Sequence, residues 1–204
     1  LVVPLQPATE WQNLKFSKVT PNQVEFVEGK IRVTVKNSAS PLVHPLDSIK
    51  KITGMKIKGR VSQLIAFEKT SLQGQQRADD SVLRFGLVIP GERQLNWATR
   101  LMAADWVKQL YSLAPKGSGI DHILFLKMVQ SEQLKGQERV HPSSDLIRER
   151  NEWLMTAPGE FELSAEFLTP LQVAAIWISI DGDDTQSSYT VELEQMELTL
   201  VEEK

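Results

Sequence analysis

Residues 160–200, "EFELSAEFLTPLQVAAIWISIDGDDTQSSYTVELEQMELTL", hold three patterns in succession. In the first, Phe161, Leu163, Ala165 and Phe167 alternate with Glu160, Glu162, Ser164 and Glu166. Successive side chains of a β-strand point to opposite faces, so this is a strand with one face in a core and the other in water. In the second, "VAAIWISI" is apolar on both faces, as expected of a central strand covered on both sides. The third follows Asp181, Gly182, Asp183 and Asp184. Its apolar residues start odd, at Val191 and Leu193, and continue even, at Met196, Leu198 and Leu200. A straight strand cannot hold both sets on one face, but one extra residue near Glu194–Gln195, a β-bulge, restores them to the core.

The same alternation recurs upstream. Ile31, Val33 and Val35 oppose Arg32, Thr34 and Lys36; Met55, Ile57 and Val61 oppose Lys56, Lys58 and Arg60. "VLRFGLVIP" (82–90) is another doubly apolar run. One segment breaks the β pattern: in "WATRLMAADWVKQLYSLAPKGSG", Met102, Trp106, Leu110 and Leu113 form one helical stripe, with Asn96 and Thr99 as candidate caps and Pro115 and Gly117 as the stop. A second helical turn is expected in "HPSSDLIRERNEW", capped by Ser143 or Ser144. Residues 69–81 read as a mobile polar loop. The expected fold is all-β: a two-sheet antiparallel β-sandwich, a jelly roll, with one inserted helix near 98–113, forming a single domain over 1–204.

A chain of 204 residues buries roughly 70% of the surface it would expose unfolded, so its core needs no staples. There is no cysteine, which excludes disulfides, thiolate-bound zinc and a thiol nucleophile. No apolar run reaches the roughly 18 residues of a membrane-spanning helix. The net charge of −3 gives no reason to bind nucleic acid. That charge is unevenly placed: residues 1–60 carry ten Lys or Arg against four acids, and residues 151–204 one Lys against twelve acids. Neighbouring N- and C-terminal strands whose outward charges offset one another account for this better than a basic face for an anionic polymer. The chain starts at Leu1 rather than Met; a removed signal peptide fits, as does trimming, and export to the periplasm or beyond is the expectation.

The opening "WQNLKF" (11–16) and "VEFVEGKIRVTVKNSASPLV" (24–43), with the closing "AAIWISIDGDDTQSSYTVELEQMEL" (174–198), resemble the first and last strands of galactose-binding-like, carbohydrate-module-like jelly rolls of bacterial secreted proteins. The resemblance is one of fold and strand rhythm. It implies sugar binding and carries over no residue, because the fold does not fix the site.

No catalytic motif is present. There is no G-x-S-x-G elbow, no H-E-x-x-H and no phosphate loop, and His44, His122 and His141 have no metal-ligand spacing. Asp181, Asp183 and Asp184, with Thr185, are candidate calcium ligands, since calcium takes six to eight oxygens. A hairpin turn ranks ahead, because Asp-Gly favours the positive φ of tight turns. "RERNEW" (148–153) reads as a surface turn with charge pairs. Arg84 is the odd residue of a central strand; it must pair with a carboxylate, such as one of the acidic C-terminal residues, or line a cleft. Trp97 and Trp153 stand beside polar neighbours at the edges of irregular segments. With Arg84 and Arg100 they form the expected ligand site, since sugar rings stack on exposed aromatic faces. The expected function is a non-catalytic, exported module binding carbohydrate or another polar ligand, with no cofactor besides the candidate calcium and no protein partner specified. The alternatives are a polysaccharide-active enzyme using the same cleft and a structural component of the cell envelope.

Overall fold

The computed structural model describes residues 1–7 and 10–202. Ten strands follow in order: β1 (Gln12–Asn13), β2 (Gln23–Val27), β3 (Lys30–Lys36), β4 (Ala39–Val61), β5 (Arg84–Gly91), β6 (Gly119–Val129), β7 (Glu138–His141), β8 (Ser144–Leu154), β9 (Gly159–Asp181) and β10 (Ser188–Leu200). Two short helices, α1 (Trp97–Met102) and α2 (Asp105–Ser112), lie between β5 and β6. Hydrogen bonding links the strands in the order β2-β3-β10-β4-β9-β5-β6-β8-β7, with β1 on β4.

The sandwich arises because β4 and β9, each 23 residues long, serve both layers. The first half of β4 pairs with the last third of β9 (Ala39↔Asp181 to Pro45↔Ala175), beside β5, β6, β8 and β7. Its second half pairs with the start of β9 (Gly54↔Glu166 to Val61↔Gly159) and with β10. Between these stretches the ladder is interrupted, at Pro45 in β4 and around Pro170 in β9. Proline has no amide hydrogen to give, so the chain bends there without losing a bond it could have made. The two patterns at 160–168 and 173–180 are therefore two ends of one strand crossing from one layer to the other.

The inward faces of both layers meet in one core that holds Ile31, Ile57, Leu163 and Leu193 together with Phe85, Leu126 and Ile178. The expected alternation is realised: Ile31, Val33 and Val35 are 0–2% exposed. The bulge in β10 is present. Leu193 pairs with Gly59 and Gln195 with Lys58, so Glu194 is the extra residue and both Leu193 and Met196 reach the core. The charge asymmetry resolves as cross-strand neighbours on the solvent face: Lys30 with Glu194, Arg32 with Glu192, and Lys56 and Lys58 with Glu162.

Three expectations are corrected. The single helix near 98–113 is two helices, broken at Ala104, whose ψ of 152° is extended. Trp106 and Leu110 pack on the sheet, but Met102 is 91% exposed and leaves the stripe. Asn96 stands at the start of α1, its carbonyl accepting the Arg100 amide at 2.9 Å, while the Thr99 side chain lies outside the described residues. Residues 144–154 form a strand rather than a helical turn, pairing parallel with β6 and antiparallel with β7. Hydrogen bonds to both neighbours satisfy this backbone better than an isolated turn could. The β6–β8 pair is the parallel exception in an otherwise antiparallel arrangement.

Candidate functional site

Strands β9, β5, β6 and β8 place one row of side chains across the face opposite the main core. Register sets Arg84 between Ser179 and Lys127, and Gly86 between Trp177 and Phe125, with Phe125 beside Glu149. Gly86 is a floor tile: a Cβ there would lie 2.6 Å from the Phe125 ring and 2.7 Å from the Trp177 carbonyl. Above this face lies a cavity of about 310 Å³. Its lining combines the rings of Phe16, Trp106, Phe125 and Trp177 with the carboxylates of Asp79, Asp80, Glu149, Asp181, Asp183 and Asp184, and with Arg84, His141 and Ser143.

The polar lining rests on a buried charge network. Arg84, only 7% exposed, contacts Asp181 and lies 3.3 Å from Asp79 and 3.6 Å from Glu149. Lys127 lies 2.9 Å from Glu149, and Arg139 reaches both Glu149 and, at 3.1 Å, Asp79. Burial favours the neutral form of each carboxyl, but the cations prevail. Against that burial, Arg84, His141 and Lys127 hold Asp79 below its ordinary range, and Lys127, Arg84 and Arg139 do the same for Glu149. Lys127 itself is lowered to about 8 by burial and by Arg84, despite its acidic neighbours.

The 182–187 loop forms one rim. Asp80, 1% exposed, accepts from the Thr185 amide at 2.7 Å, the Thr185 hydroxyl at 2.5 Å and the Asp184 amide at 3.3 Å. Ser187 N–H closes the loop onto the Gly182 carbonyl at 2.8 Å. This is the expected turn, but glycine is needed for another reason. The left-handed residue is Gln186, with φ 55°, and Gly182 is required by space, since a Cβ would sit 2.7 Å from the Val35 side chain. Among the described residues, Asp80, Asp183 and Asp184 make no ion pair. Burial, then Asp80 and Asp184, raise the Asp183 carboxyl.

Of the expected ligand residues, Arg84 lines the cavity, in the company of Asp181, Asp183 and Asp184. Trp97 is 79% exposed on α1 and outside this cavity. Arg100 borders a separate groove with Gln94 and Tyr111. Trp153 is 7% exposed in the main core, its indole N–H donating to the Ser164 carbonyl at 2.8 Å. The four do not converge. Glu149, expected on a surface turn, is 3% exposed at the centre of the network, and the end of the 69–81 loop is folded into the site. The signals for these were slight: Lys127 interrupting an apolar strand, and a carboxylate at strand spacing after Ile147.

Asp79, His141 and Glu149 bring potential metal-ligand atoms within 4.8 Å of one another. Arg84, Lys127 and Arg139 already compensate the two carboxylates, leaving little attraction for a divalent cation at that point.

No protein-family model matches the sequence. No curated protein matches it either. Among solved structures, the chain aligns with "PfGH50B" at 12% identity and TM-score 0.37, over 96% of this chain and 23% of that one. It aligns with an exo-beta-agarase at 8% identity and TM-score 0.36, over 100% and 25%. The Ca2+-bound exoplasmic/lumenal domain of VIP36 aligns at 8% identity and TM-score 0.41, over 100% and 90%. The chain thus spans about a quarter of the length of the first two.

Proposed function

We propose that the cavity over β5, β6, β8 and β9 binds a carbohydrate or a similar polar, polyhydroxylated ligand, in an exported protein. One observation carries this: a single cavity is lined both by aromatic rings and by fixed carboxylates with an arginine. An aromatic face takes the apolar side of a sugar ring, while carboxylates accept its hydroxyls and Arg84 donates to a ring or hydroxyl oxygen. Six carboxylates line the site against one cation at the surface and two more behind it, so the ligand is neutral or cationic. Export rests on the sequence resemblance alone. Titration of neutral oligosaccharides followed by tryptophan fluorescence tests the reading, with Trp106 as reporter at the cavity wall; a panel that leaves the emission unchanged counts against it.

A second reading is favoured by Asp183. A carboxyl raised by burial and like charges, in the same cavity as ionised Asp79 and Glu149, is the pairing that glycoside hydrolysis uses for acid and base. Release of reducing ends from polysaccharides, lost in Asp183→Asn, tests it.

A further inference from the structure

We infer that Ser143, His141 and Asp79 form a nucleophile–base–orienter set at the mouth of the cavity, suited to hydrolysing a carboxylic ester. The geometry is direct. Ser143 Oγ lies 2.7 Å from His141 Nδ1, and His141 Nε2 lies 2.7 Å from Asp79 Oδ2. These are the two contacts by which a base activates a hydroxyl and a carboxylate holds the base.

The tautomer follows from the neighbours. The Ser143 amide donates to Nδ1 at 3.2 Å, so Nδ1 carries the lone pair and Nε2 carries the hydrogen given to Asp79. The unprotonated nitrogen therefore faces the hydroxyl, as general-base work requires. Asp79 is fixed in turn by Arg84 at 3.3 Å and Arg139 at 3.1 Å, so the ring is held from behind. The chain local to the set is short: β7 ends at His141, paired with Ser144, and Pro142–Ser143 is the two-residue connection. Pro142 fixes its own φ and narrows the turn that aims Ser143 back at the ring. Ser143 is exposed and lines the cavity, so its hydroxyl is open to a ligand there. Neither residue is needed to fill a core. The sequence gives no motif for this set because the base precedes the nucleophile by two residues and the acid comes from a loop 62 residues earlier.

The reaction balances with water as the second reactant. Ser143 Oγ attacks the ester carbonyl carbon while its proton passes to His141 Nδ1. The carbon–oxygen bond to the alcohol breaks, and the alcohol leaves with that proton. Water then attacks the acyl-serine, giving a proton to Nδ1; the carboxylic acid departs and Ser143 regains its hydrogen. Arg84 is the cation lining the same cavity where negative charge develops on the carbonyl oxygen. That the alcohol is a polyhydroxylated one rests on the ligand reading above; the acyl-transfer chemistry does not.

The test uses the full chain, an alkyl fluorophosphonate probe and 4-nitrophenyl acetate. We expect the probe to modify Ser143, located by mass spectrometry of the digested protein, with labelling absent in Ser143→Ala and slowed about 10²–10⁴-fold in His141→Gln. Hydrolysis of 4-nitrophenyl acetate should exceed that of Ser143→Ala by a similar factor. Circular dichroism and melting temperature establish that both variants fold; if His141→Gln does not, the Ser143→Ala comparison decides alone. Probe labelling that spares Ser143 overturns the inference, as does wild-type hydrolysis equal to that of Ser143→Ala. Oligosaccharide binding by the wild-type protein is measured separately. Binding without esterase activity leaves the ligand reading standing and removes this one; esterase activity without binding does the reverse.

Discussion

Lys127 Nζ lies 2.9 Å from Glu149 Oε1, and both side chains are 2% exposed. The pair sits under the cavity, tied to its polar lining through Arg84 and Arg139. A buried ion pair contributes little net stability compared with an apolar pair, but breaking one is costly because it leaves an uncompensated charge. Glu149→Gln should therefore destabilise the fold by about 3–5 kcal/mol. Urea unfolding with an unchanged slope checks this; a loss well under 1 kcal/mol on the order of a surface pair would mean the network is solvated.

The same lysine sets an alkaline signature. Its pKa is lowered to about 8, against 10.5 when unperturbed. Between those values the unfolded chain binds more protons than the folded one, so the contribution of this group makes stability rise with pH across that window. Across that window the denaturation midpoint of the wild type should rise relative to that of Lys127→Met, which lacks the titrating group. Parallel pH profiles would contradict the assignment.

Asp183 has the opposite sign from Asp79 and Glu149. Its folded pKa is raised, so near neutral pH its charge opposes folding, and that cost disappears below the ordinary carboxylate range. Asp183→Asn should raise the melting temperature at pH 7, with the gain fading in acid. No gain at pH 7 would show that a bound cation or a ligand group already offsets the charge.

Calcium has a separate readout. Asp181 is held by Arg84, Asp80 already accepts three donors and Asp184 Oδ2 accepts the Asp79 amide at 3.2 Å, leaving Asp183 and Asp184 as the rim carboxylates without an ion pair among the described residues. The melting temperature should be the same with calcium and with a chelator. A bound ion must raise it by mass action, so a calcium-dependent rise would reassign the loop to a cation.

Periodicity made the sandwich legible. The alternation of β3 and β9, the doubly apolar runs and the switch from Leu193 to Met196 each depend on which face is buried, and burial acts along the chain at fixed spacing. The site was legible at one point only. Arg84 stood out because a lone cation in an apolar strand demands a partner, and Asp181 supplies one. Glu149, Asp79, His141 and Ser143 become neighbours through the parallel β6–β8 pairing and the packing of a loop, neither of which leaves a periodic trace. Trp153 misled because polar neighbours at 151 and 152 suggested exposure, while the register shift between Lys127↔Asn151 and Met128↔Trp153 sets it beside Met128 in the main core. The helix break at Ala104 was invisible for a related reason: alanine has high helix propensity, and tertiary packing overrode it.

The central claim is that the aromatic and acidic side chains lining the cavity form one ligand site, and the most direct measurement is calorimetric titration of glycans, selected on an array, into the wild type, Trp106→Ala and Phe16→Ala. The account predicts binding of at least one neutral or cationic glycan, weakened about tenfold or more in each variant, equivalent to some 1.4 kcal/mol, with both variants folded. Binding of no glycan by the wild type, or equal affinity in all three proteins, would contradict it.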